Sequence, residues 1–267
     1  MNSASILDKI IYAKMKSLAI KKQQIPIEKL IKNMERVNLP KNFSGSLMGD
    51  KVMLIAEMKK ASPSKGLIAE TYEPKDIALQ YSEANVAAIS ILTDSQFFQG
   101  DLSHLEDVSN ILNNTSIPIF RKDFIIDEYQ IYESRLYGAD SLLLMVSVLD
   151  KKQLKHFINI CNTLWIQPLV ETHNQKELQI ALDCGAEIIG INHRDLRDFS
   201  MDMNLVEKLR PFIPQGKIIV AESGIDTYQD IQKMKSLEVN AVLVGESIMK
   251  ARNIKNKIQE LMGINES

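Results

Sequence analysis

The sequence predicts an α/β fold, a (β/α)8 TIM barrel with an N-terminal helical extension. Three observations predict it. Eight short apolar runs lie between Val52 and Val244, segments with helical spacing separate them, and 267 residues suit one such barrel. The runs read VMLIA, AAISIL, IPIF, SLLLMV, LWIQPLV, EIIGI, KIIVA and AVLV, starting near Val52, Ala87, Ile117, Ser141, Leu164, Glu187, Lys217 and Ala241. Unbroken Val/Ile/Leu runs, rather than alternation, are expected of parallel strands covered on both faces.

The intervening segments carry helix signals. Leu178 and Leu182 fall one turn apart, as do Leu205 and Leu209, and Ile231, Met234 and Leu237 share a face. Asp127 caps one predicted helix and Asp226 or Thr227 another, while Gly138 and Gly185 stand where helices should stop. A doubly wound open sheet uses the same units. It usually has fewer of them, and no G-x-G-x-x-G follows the first run, so the barrel is favoured.

Residues 1–50 precede these units. Ser5 with Asp8 opens a pattern of Ile6, Ile10, Ile11, Met15 and Leu18, and after Pro26 come Ile27, Leu30, Ile31 and Met34. Both read as amphipathic helices. The simpler expectation is a layer covering one end of the barrel; the alternative is that they shape the rim of a binding site. The whole chain, 1–267, is read as a single domain, with the extension at 1–50 and the barrel at 51–267.

Composition narrows the function. With 45% hydrophobic and 25% charged residues the chain is an ordinary globule. Its net charge of −2 offers no global field for nucleic acid or a membrane surface. No run approaches the length of a membrane span, and MNSASILDKI has no secretory pattern. Cys161 and Cys184 make no framework, and His104, His156, His173 and His193 show no ligand spacing, so no metal is expected. A reduced, cytoplasmic protein, monomer favoured, is the expectation.

Barrels carry their active sites at the C-terminal ends of the strands. Glu57 and Lys59 end the first run, Thr93 and Asp94 the second (Phe97, Phe98 and Gly100 follow), and Arg121, Lys122, Asp123 and Phe124 the third. Ser147 follows the fourth, Glu171 the fifth, Asn192 and Arg194 the sixth, Glu222 and Ser223 the seventh, Gly245 the eighth. Any one of these is compatible with a solvated loop charge or a structural ion pair. Their recurrence at strand after strand points to acid–base chemistry on an anionic substrate. Ser223-Gly224 and Gly245-Glu246-Ser247 follow the last two runs, the usual phosphate position in such barrels. Tight turns alone are the plainer explanation of these glycines. ASPSKG, residues 61–66, reads as a lid or a connection.

The strings AEMKKASPSKG, FRKDFIID, LVETHN, GINHRDL, AESGI and LVGESIM resemble, in order and spacing, the signature segments of the indole-3-glycerol phosphate synthase family. The resemblance runs from about Val52 to Met249 and includes the helical extension. It implies conversion of 1-(2-carboxyphenylamino)-1-deoxyribulose 5-phosphate to indole-3-glycerol phosphate, with loss of carbon dioxide and water and with no cofactor. By the same resemblance, Lys122 is the general acid and Glu171 the base, while Glu57 and Lys59 form an E-x-K pair whose lysine serves the substrate carboxylate and dehydration. Asn192 and Arg194 position hydroxyl and carboxylate groups, and Ser62 contacts substrate. Glu222 and Ser223 form an E-S pair, Ser223, Gly224, Gly245 and Glu246 are phosphate positions, and Phe98 and Phe124 are apolar walls.

A lysine acid works best with a lowered pKa, and adjacent Arg121 is a candidate source of like charge. A carboxylate at Glu246 would repel phosphate unless it faces away. Rival readings are an isomerase or Schiff-base aldolase on the same scaffold, or a non-catalytic barrel that binds phosphorylated ligands.

Overall fold

The computed structural model describes residues 5–34 and 37–264. Its centre is a closed barrel of eight parallel strands. We label these β1 (Met53–Met58), β2 (Ala88–Leu92), β3 (Ile119–Lys122), β4 (Ser141–Met145), β5 (Gln167–Thr172), β6 (Ile188–Asn192), β7 (Ile218–Glu222) and β8 (Ala241–Val244). Each pairs with its neighbours in sequence, and β1 closes the ring on β8 through Met53↔Ala241. All eight apolar runs became strands. The fifth begins later than its run. Leu164 instead ends the preceding helix by donating its amide to the Ile160 carbonyl, and Trp165 turns the chain with φ +60°.

Two apolar clusters divide the strand residues by parity. Leu54, Ala56, Ile89, Ile119, Leu142, Val170, Ile219 and Val242 belong to the outer cluster, with helix residues such as Leu105, Leu154 and Ile231. Ile55, Phe120, Leu169 and Val220, two residues before the polar strand ends of β1, β3, β5 and β7, belong to the inner cluster. Alternate strands contributing one layer of a barrel interior is the expected packing.

Helix ends follow the caps read from sequence. Asp127 and Thr227 accept from the backbone of the helices Glu128–Leu136 and Tyr228–Ser236, and Asp226 is not the cap. Gly138 and Gly185 follow their helices with φ +86° and +87°, a region in which a side chain would be strained.

Among the described residues the extension holds three helices, α1 (Ile6–Gln24), α2 (Ile27–Asn33) and α3 (Phe43–Ser46). A capping box joins Ser5 to Asp8 at the start of α1. The expected apolar faces are only partly used: Ile10, Leu18 and Leu30 are buried, whereas Met15 and Ile31 stay exposed. The α3 segment plugs the N-terminal end of the barrel, where Phe43 stacks on Phe120 and the Ser44 amide donates to Gln167 at the start of β5. Helix α1 instead reaches the other end. Lys14 Nζ lies 2.8 Å from Asp94 Oδ2 and 2.7 Å from Asp123 Oδ1, just past β2 and β3. The extension therefore does more than cover one end; through Lys14 it also meets the C-terminal rim of the barrel.

Candidate active site

At the C-terminal end of the barrel lies a cavity of about 500 Å³. Every residue given a role by the family resemblance lines it: Glu57, Lys59, Ser62, Phe98, Lys122, Phe124, Glu171, Asn192, Arg194, Glu222, Ser223, Gly224, Gly245 and Glu246; of the other strand-end candidates, Thr93, Asp94, Phe97, Gly100, Arg121 and Ser147 do not.

The floor is one layer of charge. Glu57, Lys122, Glu171 and Glu222 come from β1, β3, β5 and β7, directly above the inner apolar layer. Lys122 Nζ lies 3.1 Å from Glu171 Oε2 and 3.0 Å from Glu222 Oε2, and Lys59 Nζ lies 2.5 Å from Glu57 Oε1. A relay of amides ties the later strands together. Ser223 Oγ donates to Asn192 Oδ1 at 2.8 Å, and Asn192 Nδ2 donates to Glu171 Oε2 at 3.1 Å.

The expected lowering of the Lys122 pKa is reversed. Burial does disfavour its charge, but Glu171, Glu222 and Glu57 together outweigh burial and push the pKa above its usual value. Arg121 supplies no like charge. Its strand parity turns it outward, where the guanidinium meets Asp123 Oδ2 at 2.8 Å and Glu133 Oε2 at 3.0 Å. The two carboxylates beside Lys122 differ sharply. Burial opposes charge on Glu171, yet Lys122 and His173 prevail and lower its pKa. Glu222 has the same burial and the same lysine, is repelled by Glu171, and is pushed up to about 7.

Glycines make this packing possible. A Cβ on Gly190, in mid-β6, would stand 2.4 Å from Leu169 Cδ2 and 2.5 Å from Glu222 Oε1, and one on Gly245 would stand 2.6 Å from Glu57 Oε1. Gly190 was missed in the sequence reading, although a lone glycine inside a strand run signals close approach. Also missed were Lys14 and the loop residues Leu196, Phe199 and Met201, whose places depend on long-range packing, and His173, whose partners Glu171 and Glu177 are near it in sequence but meet it only through the strand-to-helix turn.

The walls agree with their expected chemistry. Phe98 and Phe124 are buried with ring centroids 6.1 Å apart. Ser62 belongs to a two-stranded ribbon, Ala61–Ser62 with Gly66–Leu67, that places Lys65 at the cavity. Glu246 does not stand as a free anion, because Lys250 pairs with it at 2.7 Å and Lys65 lies 3.9 Å away. Ser223 adopts φ +65°, a strained conformation for a side-chain-bearing residue of the kind that gathers at functional sites.

A closed barrel with proton-exchanging groups packed at its C-terminal end defines a (β/α)8-barrel enzyme. The sequence model described as Indole-3-glycerol phosphate synthase matches residues 7–261, and the chain belongs to that family. It is 46% identical to the indole-3-glycerol phosphate synthase of Alkaliphilus metalliredigens (strain QYMF) over 257 residues, 96% of this chain and 97% of that protein. It is also 46% identical to the one from Acetivibrio thermocellus over 263 residues, 97% of this chain and 100% of the relative. Among solved structures, a 3-hexulose-6-phosphate synthase aligns with a TM-score of 0.63 at 14% identity, covering 80% of this chain and 100% of that one. The thiamine phosphate pyrophosphorylase of Pyrococcus furiosus aligns with a TM-score of 0.61 at 14% identity, covering 84% and 97%. These two likenesses are of fold.

Proposed function

We propose that the chain converts 1-(2-carboxyphenylamino)-1-deoxyribulose 5-phosphate to indole-3-glycerol phosphate, as its family membership indicates, with Lys122 as the principal acid. The observation that carries the role of Lys122 is its side chain, 14% exposed, with the ammonium held between two buried carboxylates at the cavity floor.

Ring closure joins the carboxylate-bearing carbon of the anthranilate ring to the ribulose carbonyl carbon. The carbonyl oxygen takes up a proton, and Lys122 delivers it. Departure of carbon dioxide returns its bonding pair to the ring, and the new hydroxyl then leaves as water. Glu171 is kept ionised and accepts the proton shed as the indole forms. Lys59, beside Glu57, faces the substrate carboxylate and assists loss of the hydroxyl. Asn192 and Arg194 hold hydroxyl and carboxylate groups, Ser62 closes on the substrate, and Phe98 and Phe124 flank the aromatic ring.

The amides of Ser223, Gly224, Gly245 and Glu246 receive the phosphate, with Lys65 and Lys250 balancing the Glu246 charge. The extension and barrel act as a single domain, supported by the contacts of Lys14 and Phe43.

An aldolase-type Schiff base requires a neutral lysine. The carboxylates around Lys122 oppose that form, and borohydride with substrate is expected to trap no adduct. The deciding experiment supplies the anthranilate-derived ribulose phosphate and follows the fluorescence of the indole product. A folded protein that yields none sinks the proposal.

A further inference from the structure

The Glu171 carboxylate has a neighbour on the side away from Lys122. His173, just past β5, is 5% exposed along its side chain, and its ring spans two carboxylates. Nδ1 lies 3.3 Å from Glu177 Oε2, the same oxygen that accepts the His173 backbone amide at 2.8 Å. Glu177 stands in the first turn of the helix Gln175–Asp183, and its other oxygen accepts from Asn174 Nδ2 at 2.9 Å. Glu177 is thus anchored through both oxygens. At the opposite end of the ring, Nε2 lies 3.4 Å from Glu171 Oε1. Both atoms are buried, and neither has a hydrogen-bond partner among the described residues.

We propose that His173 is a positioning residue that clamps the Glu171 carboxylate from the side opposite Lys122, with Glu177 as its own anchor. A neutral imidazole donates through one nitrogen only. It would turn a lone pair on one of the two carboxylates, whereas the imidazolium meets both. The acidic groups that act on the ring are Glu171 from β5, Glu177 from the following helix and Asp195 from the segment after β6; Arg197, from that same segment, pairs with Asp195 and faces Glu177. Burial opposes the charge, but these partners prevail and raise the ring pKa to about 9. Glu171 then has a cation on each side, Lys122 on Oε2 and His173 on Oε1, which aims it and keeps it ionised although fully buried. Among the described residues Glu222 has no such second partner.

The kinetic consequence rests on Glu171 acting as the base in the proposed reaction; the clamp itself does not, so the test has two arms. In the first, ring nitrogen resonances of His173 are titrated by NMR in the wild-type protein and in Glu171→Gln. The expected wild-type titration is near pH 9, falling clearly in the variant. An identical titration in both proteins overturns the clamp, whatever the turnover. In the second arm, His173→Phe is expected to lower kcat by about 10- to 100-fold, with KM unchanged within roughly threefold. The lower acid limb of the kcat/KM profile, set by Glu171 and read in a Glu222→Gln background that lacks the limb near pH 7, moves to higher pH, because Glu171 has lost a cation. His173→Gln keeps a donor and is expected to recover part of kcat; it also decides the matter if the Phe variant does not fold. A folded variant with wild-type kcat and an unmoved acid limb overturns the proposal, since a purely structural histidine would change stability and leave that limb in place. Loss of all wild-type turnover with the NMR shift intact refutes the reaction and keeps the clamp.

Discussion

The ends of β5 and β7 place the same residue type against the same ammonium, and the two carboxylates behave oppositely. Glu171 and Glu222 lie 3.1 and 3.0 Å from Lys122 Nζ, and both are buried. At β5 the carboxylate also meets Asn192 and His173, and its pKa falls. At β7 neither Glu222 oxygen has a well-aligned hydrogen bond among the described residues, and burial dominates, lifting it to about 7. One salt bridge does not set the ionisation of a buried acid; the count of further donors does. Driving paired acids apart in this way is how a site comes to hold one fixed charge and one exchangeable proton.

Removing the shared ammonium should break the comparison outright. Lys122→Met is expected to lower kcat by about 10²–10⁴-fold in steady-state turnover, the usual span for a positioned acid. Substrate affinity should fall much less, because the proposed phosphate loops and the proposed contact of Arg194 remain. Lys122→Arg should not restore kcat, since a guanidinium holds its proton too tightly. A folded Lys122→Met variant with near wild-type kcat would refute the acid role.

The next test displaces one carboxylate. Gly190→Ala puts a methyl 2.5 Å from Glu222 Oε1 and 2.4 Å from Leu169, so both must shift. We expect kcat to fall by about 10- to 100-fold and stability to drop by about 1–3 kcal/mol, read by chemical denaturation. Unchanged kinetics would mean that the β7 carboxylate need not stand where it does.

Glu222→Gln isolates the exchangeable proton. Wild-type kcat/KM should rise as pH climbs through about 7, when Glu222 ionises and anchors Lys122, and this limb should vanish in the variant. Stability moves the other way. The folded-state pKa is raised above the ordinary 4.5, so the unfolded chain releases its proton first as pH rises. Wild-type stability relative to Glu222→Gln should therefore decline between about pH 4.5 and pH 7 and level off above, as paired thermal melts would show. A pH-independent difference would place the proton elsewhere.

The smallest effect crosses between the two strands. Ser223→Ala removes the 2.8 Å bond to Asn192, and Asn192 in turn holds Glu171. A loss of about 1 kcal/mol, roughly fivefold in kcat, is expected. No loss would show that Asn192 keeps its aim without the hydroxyl.

Much of this site was legible before any folding was considered. Strands buried on both faces produce unbroken apolar runs, so the first polar residue after each run marks a strand end. Barrel topology then gathers those ends. That reasoning brought Glu57, Lys122, Glu171, Asn192 and Glu222 to one cavity. It failed for His173, which has no ligand spacing in sequence and matters only through carboxylates on its own strand and the next helix. Lys14 was also out of reach, because helix α1 meets Asp94 and Asp123 far along the chain.

By itself, then, the sequence determined the element order, the strand-end chemistry and the family, because these depend on local apolar pattern and ordered motifs. It could not assign faces. A run that is apolar on both sides carries no alternation to show which side chains turn inward, so Arg121 and Lys122 look equivalent. Closure of the barrel decides by parity: Lys122 enters the charged layer above Phe120, while Arg121 pairs with Asp123 and Glu133 outside it. The direction of each pKa shift follows from that placement, because in a buried layer the neighbours within a few ångströms, rather than the residue type, set the affinity for a proton.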